Sequence, residues 1–201
     1  MHGKKNKVNW SLIVTYIIAL SLIASYVFIL NHGLKPKEAC LEYKKYYVDN
    51  VLEDWPGYGG LDYEIGDIRY FASNHEDHLM NTRGTGWGQL ESQGCWTVGD
   101  ESYFYENIVN ADENADYVME LEIYQLLAED VHVLINGTEI GEINSDDQKT
   151  VTFDIPENLI KNGFTTFEFQ IDSPKAPSEI SDSTDERKLG INIVSFQIKE
   201  Q

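Results

Sequence analysis

The stretch Asp130-Val131-His132-Val133-Leu134-Ile135-Asn136-Gly137 decides how this chain is read. Its first six positions are rich in branched apolar side chains, which suit a pleated strand. Val131, Val133 and Ile135 fall on one side and His132 on the other, so one face meets a core and the other water. Asn136 and Gly137 both tolerate the positive φ of a type I′ turn, so the chain reverses there and the flanking strands pair antiparallel.

Working outward, residues 63–71, 117–124, 149–155, 164–171 and 190–198 are similar short runs rich in Val, Ile, Thr, Phe and Tyr. The run Phe164-Thr165-Thr166-Phe167-Glu168-Phe169-Gln170-Ile171 is suited to the same two-faced role. Six or more strands punctuated by turns, with no helices alternating between them, predict an all-β, antiparallel β-sandwich. A jelly-roll or galactose-binding-like arrangement is the expected member of that class.

The N-terminal part follows a different rule. Residues 10–30 read WSLIVTYIIALSLIASYVFIL, twenty-one positions without a charge. That length crosses a hydrocarbon core of about 30 Å as a helix. A cleavable signal peptide is the rival reading, because Lys4, Lys5 and Lys7 make a basic start. The apolar run exceeds the usual signal-peptide core, and no small-x-small site closes it, so an uncleaved anchor is expected. Lysines flank both ends, Lys35, Lys37, Lys44 and Lys45 lying after the run. The expected topology places the short N-terminus in the cytoplasm and the large domain outside, a single-pass protein of the cell membrane that contacts lipid through residues 10–30.

Residues 37–52 (KEACLEYKKYYVDNVL) lack Gly and Pro and carry apolar side chains near helical spacing, which predicts a juxtamembrane helix. Trp55-Pro56-Gly57-Tyr58-Gly59-Gly60 is turn chemistry. The expected organisation is a tail at 1–7, an anchor at 8–30, a helical stalk at 31–56 and one sandwich domain at 57–201.

Charge divides the chain sharply. All 34 acidic residues lie at Glu38 or beyond, with ten of the 15 basic ones, a net −24 for that part. Such a module is repelled by nucleic acid, whose proteins neutralise phosphates with Lys and Arg. Two cysteines, Cys40 and Cys95, either pair in an oxidising compartment or remain as two small apolar side chains.

One segment suggests a ligand. Gly86-Trp87-Gly88-Gln89-Leu90-Glu91-Ser92-Gln93-Gly94-Cys95-Trp96 sets two tryptophans nine apart around a carboxylate in what reads as a Gly-rich loop. Indole faces stack on the C–H faces of sugars while a carboxylate takes hydroxyls, although bulky aromatics also fill cores. A second loop, 173–190, carries Asp185 and Arg187, either a buried ion pair that pins the loop or a pair of ligand hydrogen-bonding groups.

The spacing Gly-Trp-x-x-x-Glu-x-x-Gly-x-Trp, the Asn-Gly hairpin, Ile155-Pro156, Ser173-Pro174 and Asp185-x-Arg187-x-Leu189-Gly190 together resemble an uncharacterised extracytoplasmic β-sandwich domain. That domain occurs at the C-terminus of bacterial membrane glycosyltransferases and phosphoglycerol transferases. The resemblance covers about residues 63–198 and marks Trp87, Glu91, Trp96, Asp185 and Arg187 as signature positions, the carbohydrate-binding candidates. Leu90 and Gln93 depart from it, standing where the pattern has Pro and an aromatic. It implies an accessory role beside such a transferase and carries over none of the transferase chemistry.

Other chemistry is thin. His75 and His78 form the one close histidine pair, in a polar loop, too few ligands for a zinc site. Calcium is the better metal candidate, with Asp112, Glu113 and Asp116, or Asp146 and Asp147, as hard oxygen donors, yet no EF-hand pattern occurs and no cofactor is expected. Nucleophile elbows, phosphate loops and zinc-protease helices are missing from the sequence. A hydrolase would need two carboxylates across a cleft, for which Glu91 and Asp185 are the candidates. The expectation is therefore a non-catalytic carbohydrate- or glycopolymer-recognition protein in envelope polysaccharide assembly. Its alternative is a structural subunit docking a membrane transferase.

Overall fold

The computed structural model describes residues 10–33, 39–75, 82–112, 114–145 and 149–201. The chain divides into two compact units, Met1–Cys40 and Leu41–Gln201.

In the first unit, helix α1 (Trp10–Gly33) has no buried side chain. Its 24 residues rise about 36 Å, and it is long and apolar enough to cross a membrane.

The second unit begins with a short helix, α2 (Leu41–Tyr43), which continues as a π-helical turn over Lys44–Val48. This is shorter than the expected helix over 37–52, and it packs onto the sandwich. Leu41, Tyr46 and Val51 lie against Leu52, Leu61 and Tyr105. The buried Glu42 carboxylate accepts a hydrogen bond from Gly59 N at 2.9 Å, tying the helix to the glycine-rich turn.

Two sheets follow. The five-stranded one runs β1 (Asp62–Tyr63), β5 (Glu101–Ile108), β10 (Gly163–Asp172), β7 (Asp130–Ile135), β8 (Thr138–Ile143). The six-stranded one runs β3 (Trp87–Glu91), β4 (Gly94–Val98), β11 (Leu189–Glu200), β6 (Tyr117–Leu126), β9 (Thr150–Ile155). Strand β2 (Ile68–Tyr70) also pairs with β11. Among the described strands only β1 and β5 pair in parallel, so the fold is the expected antiparallel sandwich.

Inward side chains of the two sheets meet in one aromatic core. Phe104 stacks on Phe167 at 4.5 Å within one sheet, and Phe196 of the other sheet reaches both, at 5.0 and 4.9 Å. Ile123, Met119, Ile193 and Ile198 complete it from the second sheet. Asn136 and Gly137 have φ of 50° and 77°, the turn required between β7 and β8.

Three expectations are corrected. Residues 63–71 are not one strand, because Gly66 at φ 101° turns the chain and sends β1 and β2 to different sheets. Residues 86–96 are not a loop but the β3–β4 hairpin, closed by Gly94 at φ 133°. The stretch Glu101–Ile108 is also a strand, and it buries Ser102 and Glu106.

A candidate ligand groove at the edge of the six-stranded sheet

Strand β3 is an edge strand with an irregular register: Trp87 faces Thr97, and the next pairing is Leu90 with Cys95. Gly88 and Gln89 therefore bulge away from the ladder opposite Trp96, and such bulges re-aim backbone groups. The freed carbonyl of Gly88 accepts a hydrogen bond from Arg83 Nη1 at 2.6 Å. The Cys95 thiol also donates to it, at 3.3 Å. Burial pushes that thiol up to about 11, so it remains a neutral donor.

A groove of about 810 Å³ opens over this bulge, lined in part by Glu53, Arg83, Trp87, Gly88, Gln89 and Arg187. Arg83 is buried, and its Nε has no hydrogen-bond partner. Among the described residues its carboxylate partner is Glu53, with Oε2 3.7 Å from Nη2. Burial raises the Glu53 carboxyl, an effect that Arg83 partly offsets.

Of the sequence candidates, Trp87 and Arg187 line the groove. Trp87 nevertheless belongs to the core: it is 8 % exposed, its indole N–H donates to Tyr103 O at 2.7 Å, and its ring lies 5.0 Å from that of Phe71. Trp96 is equally buried and is not a groove residue. At 8 % exposure neither indole offers a free face for stacking.

Asp185 and Arg187 form an ion pair, at the surface and not buried. Arg187 Nη2 lies 2.6 Å from Asp185 Oδ2, with side chains 44 % and 28 % exposed. Arg187 Nε and its backbone N–H also donate to Asp185 Oδ1, each at 3.0 Å. These bonds hold Asp185 low, at about 2. A carboxylate held ionised is unsuited to act as the general acid of a glycosidase pair. Glu91 is exposed at the end of β3, outside the groove lining, and adds to the field that keeps Arg187 protonated.

Glu53 and Arg83 escaped sequence reasoning. The available signal was the scarcity of cations: an arginine just before Gly-Thr-Gly-Trp in so acidic a domain needs a reason.

The metal candidates fall partly outside the described residues. Asp112 accepts hydrogen bonds from Asn114 N and Nδ2, at 2.9 and 3.1 Å, and so caps its own turn. Glu113, Asp146, Asp147 and His78 lie outside the described residues. His75 stacks on Tyr70 at 3.6 Å. Among the described residues no three His, Cys, Asp or Glu side chains are grouped to hold an ion. Cys40 and Cys95 are free thiols.

A second surface feature is a row of rings. Tyr43, Tyr46, Tyr47, Trp55 and Tyr58 contact one another with centroids 4.7 to 5.9 Å apart. Tyr47 is 58 % exposed and Tyr58 85 %.

No known family matches the sequence, and no curated relative does. Among solved structures, a family 6 carbohydrate-binding module is similar at TM-score 0.44 and 10% identity, covering 70% of this chain and 98% of its own. A family 35 module from an environmental isolate gives 0.35 and 17%, covering 67% and 82%. A family 36 module in complex with calcium and xylotriose gives 0.36 and 12%, covering 58% and 90%. Likenesses this loose assign no ligand to the present chain.

Proposed function

We propose that this chain is a membrane-tethered, non-catalytic module that recognises a glycan or glycopolymer and assists envelope polysaccharide assembly beside a membrane glycosyltransferase or phosphoglycerol transferase. The observation that carries the reading is the groove over the β3 bulge, where a buried guanidinium with unused N–H groups, a carboxylate and the Gln89 amide converge. Sugar hydroxyls both donate and accept, so they require neighbouring groups of both kinds in a concave site. The apolar helix α1, the resemblance and the acidic surface support the setting: a tethered domain that stands off anionic lipid.

The test is calorimetric titration of the full chain, held in nanodiscs of zwitterionic lipid, with a panel of envelope oligosaccharides. Saturable binding lost in Gln89→Ala and Arg83→Lys supports the reading, and no heat from any glycan rejects it.

The exposed row of rings favours a second reading, a docking subunit. Tyrosine and tryptophan supply large contact areas with polar tips, as interfaces use them. Photocrosslinking from Tyr47 and Tyr58 to a co-expressed transferase would support that role, and crosslinks confined to lipid would reject it.

A further inference from the structure

We propose that the groove is specific for an acidic glycopolymer, Arg83 and Arg187 together receiving an oxyanion carried on the sugar chain, either a carboxylate or a phosphate. This rests on the reading of the groove as a glycan site and names the ligand class.

Arg83 is the central observation. Its side chain is buried, yet its Nη1 alone makes short contacts, to Gly88 O at 2.6 Å and Cys95 Sγ at 3.4 Å. On the other edge of the guanidinium, Nε is buried without a hydrogen-bond partner, and among the described residues Nη2 is paired only with Glu53, at 3.7 Å. That edge carries two parallel N–H groups, the geometry that matches a carboxylate or phosphate in bidentate fashion. A buried cation whose carboxylate partner stands 3.7 Å away is only loosely compensated, so a charged acceptor from outside relieves part of an existing penalty.

Arg187 converges on the same point. Its Nε and Nη2 are occupied by Asp185, which aims the remaining nitrogen, Nη1, toward the bulge. Nη1 lies 3.5 Å from where a β-carbon on Gly88 would stand. Two guanidiniums thus flank one glycine, one bonded to its carbonyl and the other facing its α-carbon.

The surrounding charges sharpen the contrast. Two of the ten cations beyond Glu38 line one groove in a part of the chain with a net −24, so an anionic polymer is repelled elsewhere on the domain. Of the nearby carboxylates, Asp185 and Glu91 stand outside the lining, and Glu53 is the competitor an incoming oxyanion displaces.

Three probes test this on the full chain in zwitterionic nanodiscs: a hexuronate oligosaccharide, its neutral hexose counterpart, and a glycerol-phosphate oligomer. Charge-assisted hydrogen bonds predict that at least one of the two anionic probes binds about tenfold or more tightly than the neutral one. Arg83→Lys keeps the charge but loses the fork, and should abolish that preference while leaving the circular dichroism unchanged. Gly88→Ala keeps Arg83 and its contacts, since the added methyl meets Arg187 Nη1, Trp96 O and Val98 Cγ2 at 3.5 to 3.6 Å. It narrows the space between the guanidiniums and should weaken the anionic probe alone. Preference for the uronate or for the glycerol phosphate supports the proposal and identifies the oxyanion. Equal or stronger binding of the neutral sugar overturns it while leaving glycan recognition intact. No binding by any probe overturns both.

Discussion

Glu106 shows how much of this domain turns on single side chains. It is fully buried on β5, and Arg69 Nε and Nη2 reach its two oxygens at 3.2 Å each. Burial raises its carboxyl to about 7, against the opposing pull of Arg69. The folded state therefore holds the proton more tightly than the unfolded chain does. Its stabilising contribution is complete below the ordinary carboxylate range and is lost as pH rises through 7. Urea denaturation of the wild type should show unfolding free energy falling between pH 5 and 8, and Glu106→Gln should flatten that slope. A wild-type slope that survives the substitution would assign the effect to another group. Trp87→Ala belongs to the same scale: it empties a core position and removes the bond to Tyr103, so a loss of about 3 to 5 kcal/mol is expected by calorimetry. This is why tryptophan deletion is a poor test for ligand binding here. The sequence named Trp87, Trp96, Asp185 and Arg187 as notable residues, but their orientation was hidden, because the inward or outward sense of a side chain depends on strand register and the 88–89 bulge reset it.

At the scale of elements, turn chemistry was the readable part. Asn136-Gly137 announced the β7–β8 hairpin because few residues accept positive φ, and Gly137→Ala should cost about 1 kcal/mol in thermal unfolding. The β3–β4 hairpin escaped notice, its turn lying in Ser92-Gln93 and its bulge breaking the alternation. Gly94 closes it under tighter constraint, since a β-carbon there would run into Asn192 Oδ1 and the Ile193 carbonyl. Gly94→Ala should therefore destabilise by clearly more than Gly137→Ala, and equal losses would show that the hairpin yields easily. Strand β5 was unreadable for a different reason: polar Ser102 and Glu106 occupy two inward positions, and their partners Gly86 and Arg69 lie far off in sequence.

For the whole molecule, the two thiols report topology. Cys40 is partly exposed, whereas Cys95 is buried and its thiol is raised to about 11, so thiolate-selective reagents should label Cys40 alone. In intact cells of a bacterial host, a membrane-impermeant maleimide should modify Cys40 in membrane-bound protein of full-length mass. Labelling only after lysis would reverse the topology, and a mass lacking the N-terminal run would reveal a cleaved signal. The apolar segment and the sandwich class were both determined by sequence alone, because hydrophobic length and strand periodicity are local properties counted along the chain. The groove was decided by tertiary structure alone. Glu53, the 83–88 stretch and Arg187 come from three separate parts of the chain, and only the pairing of β3 with β4 and the packing of the 173–188 loop bring their charges to one place.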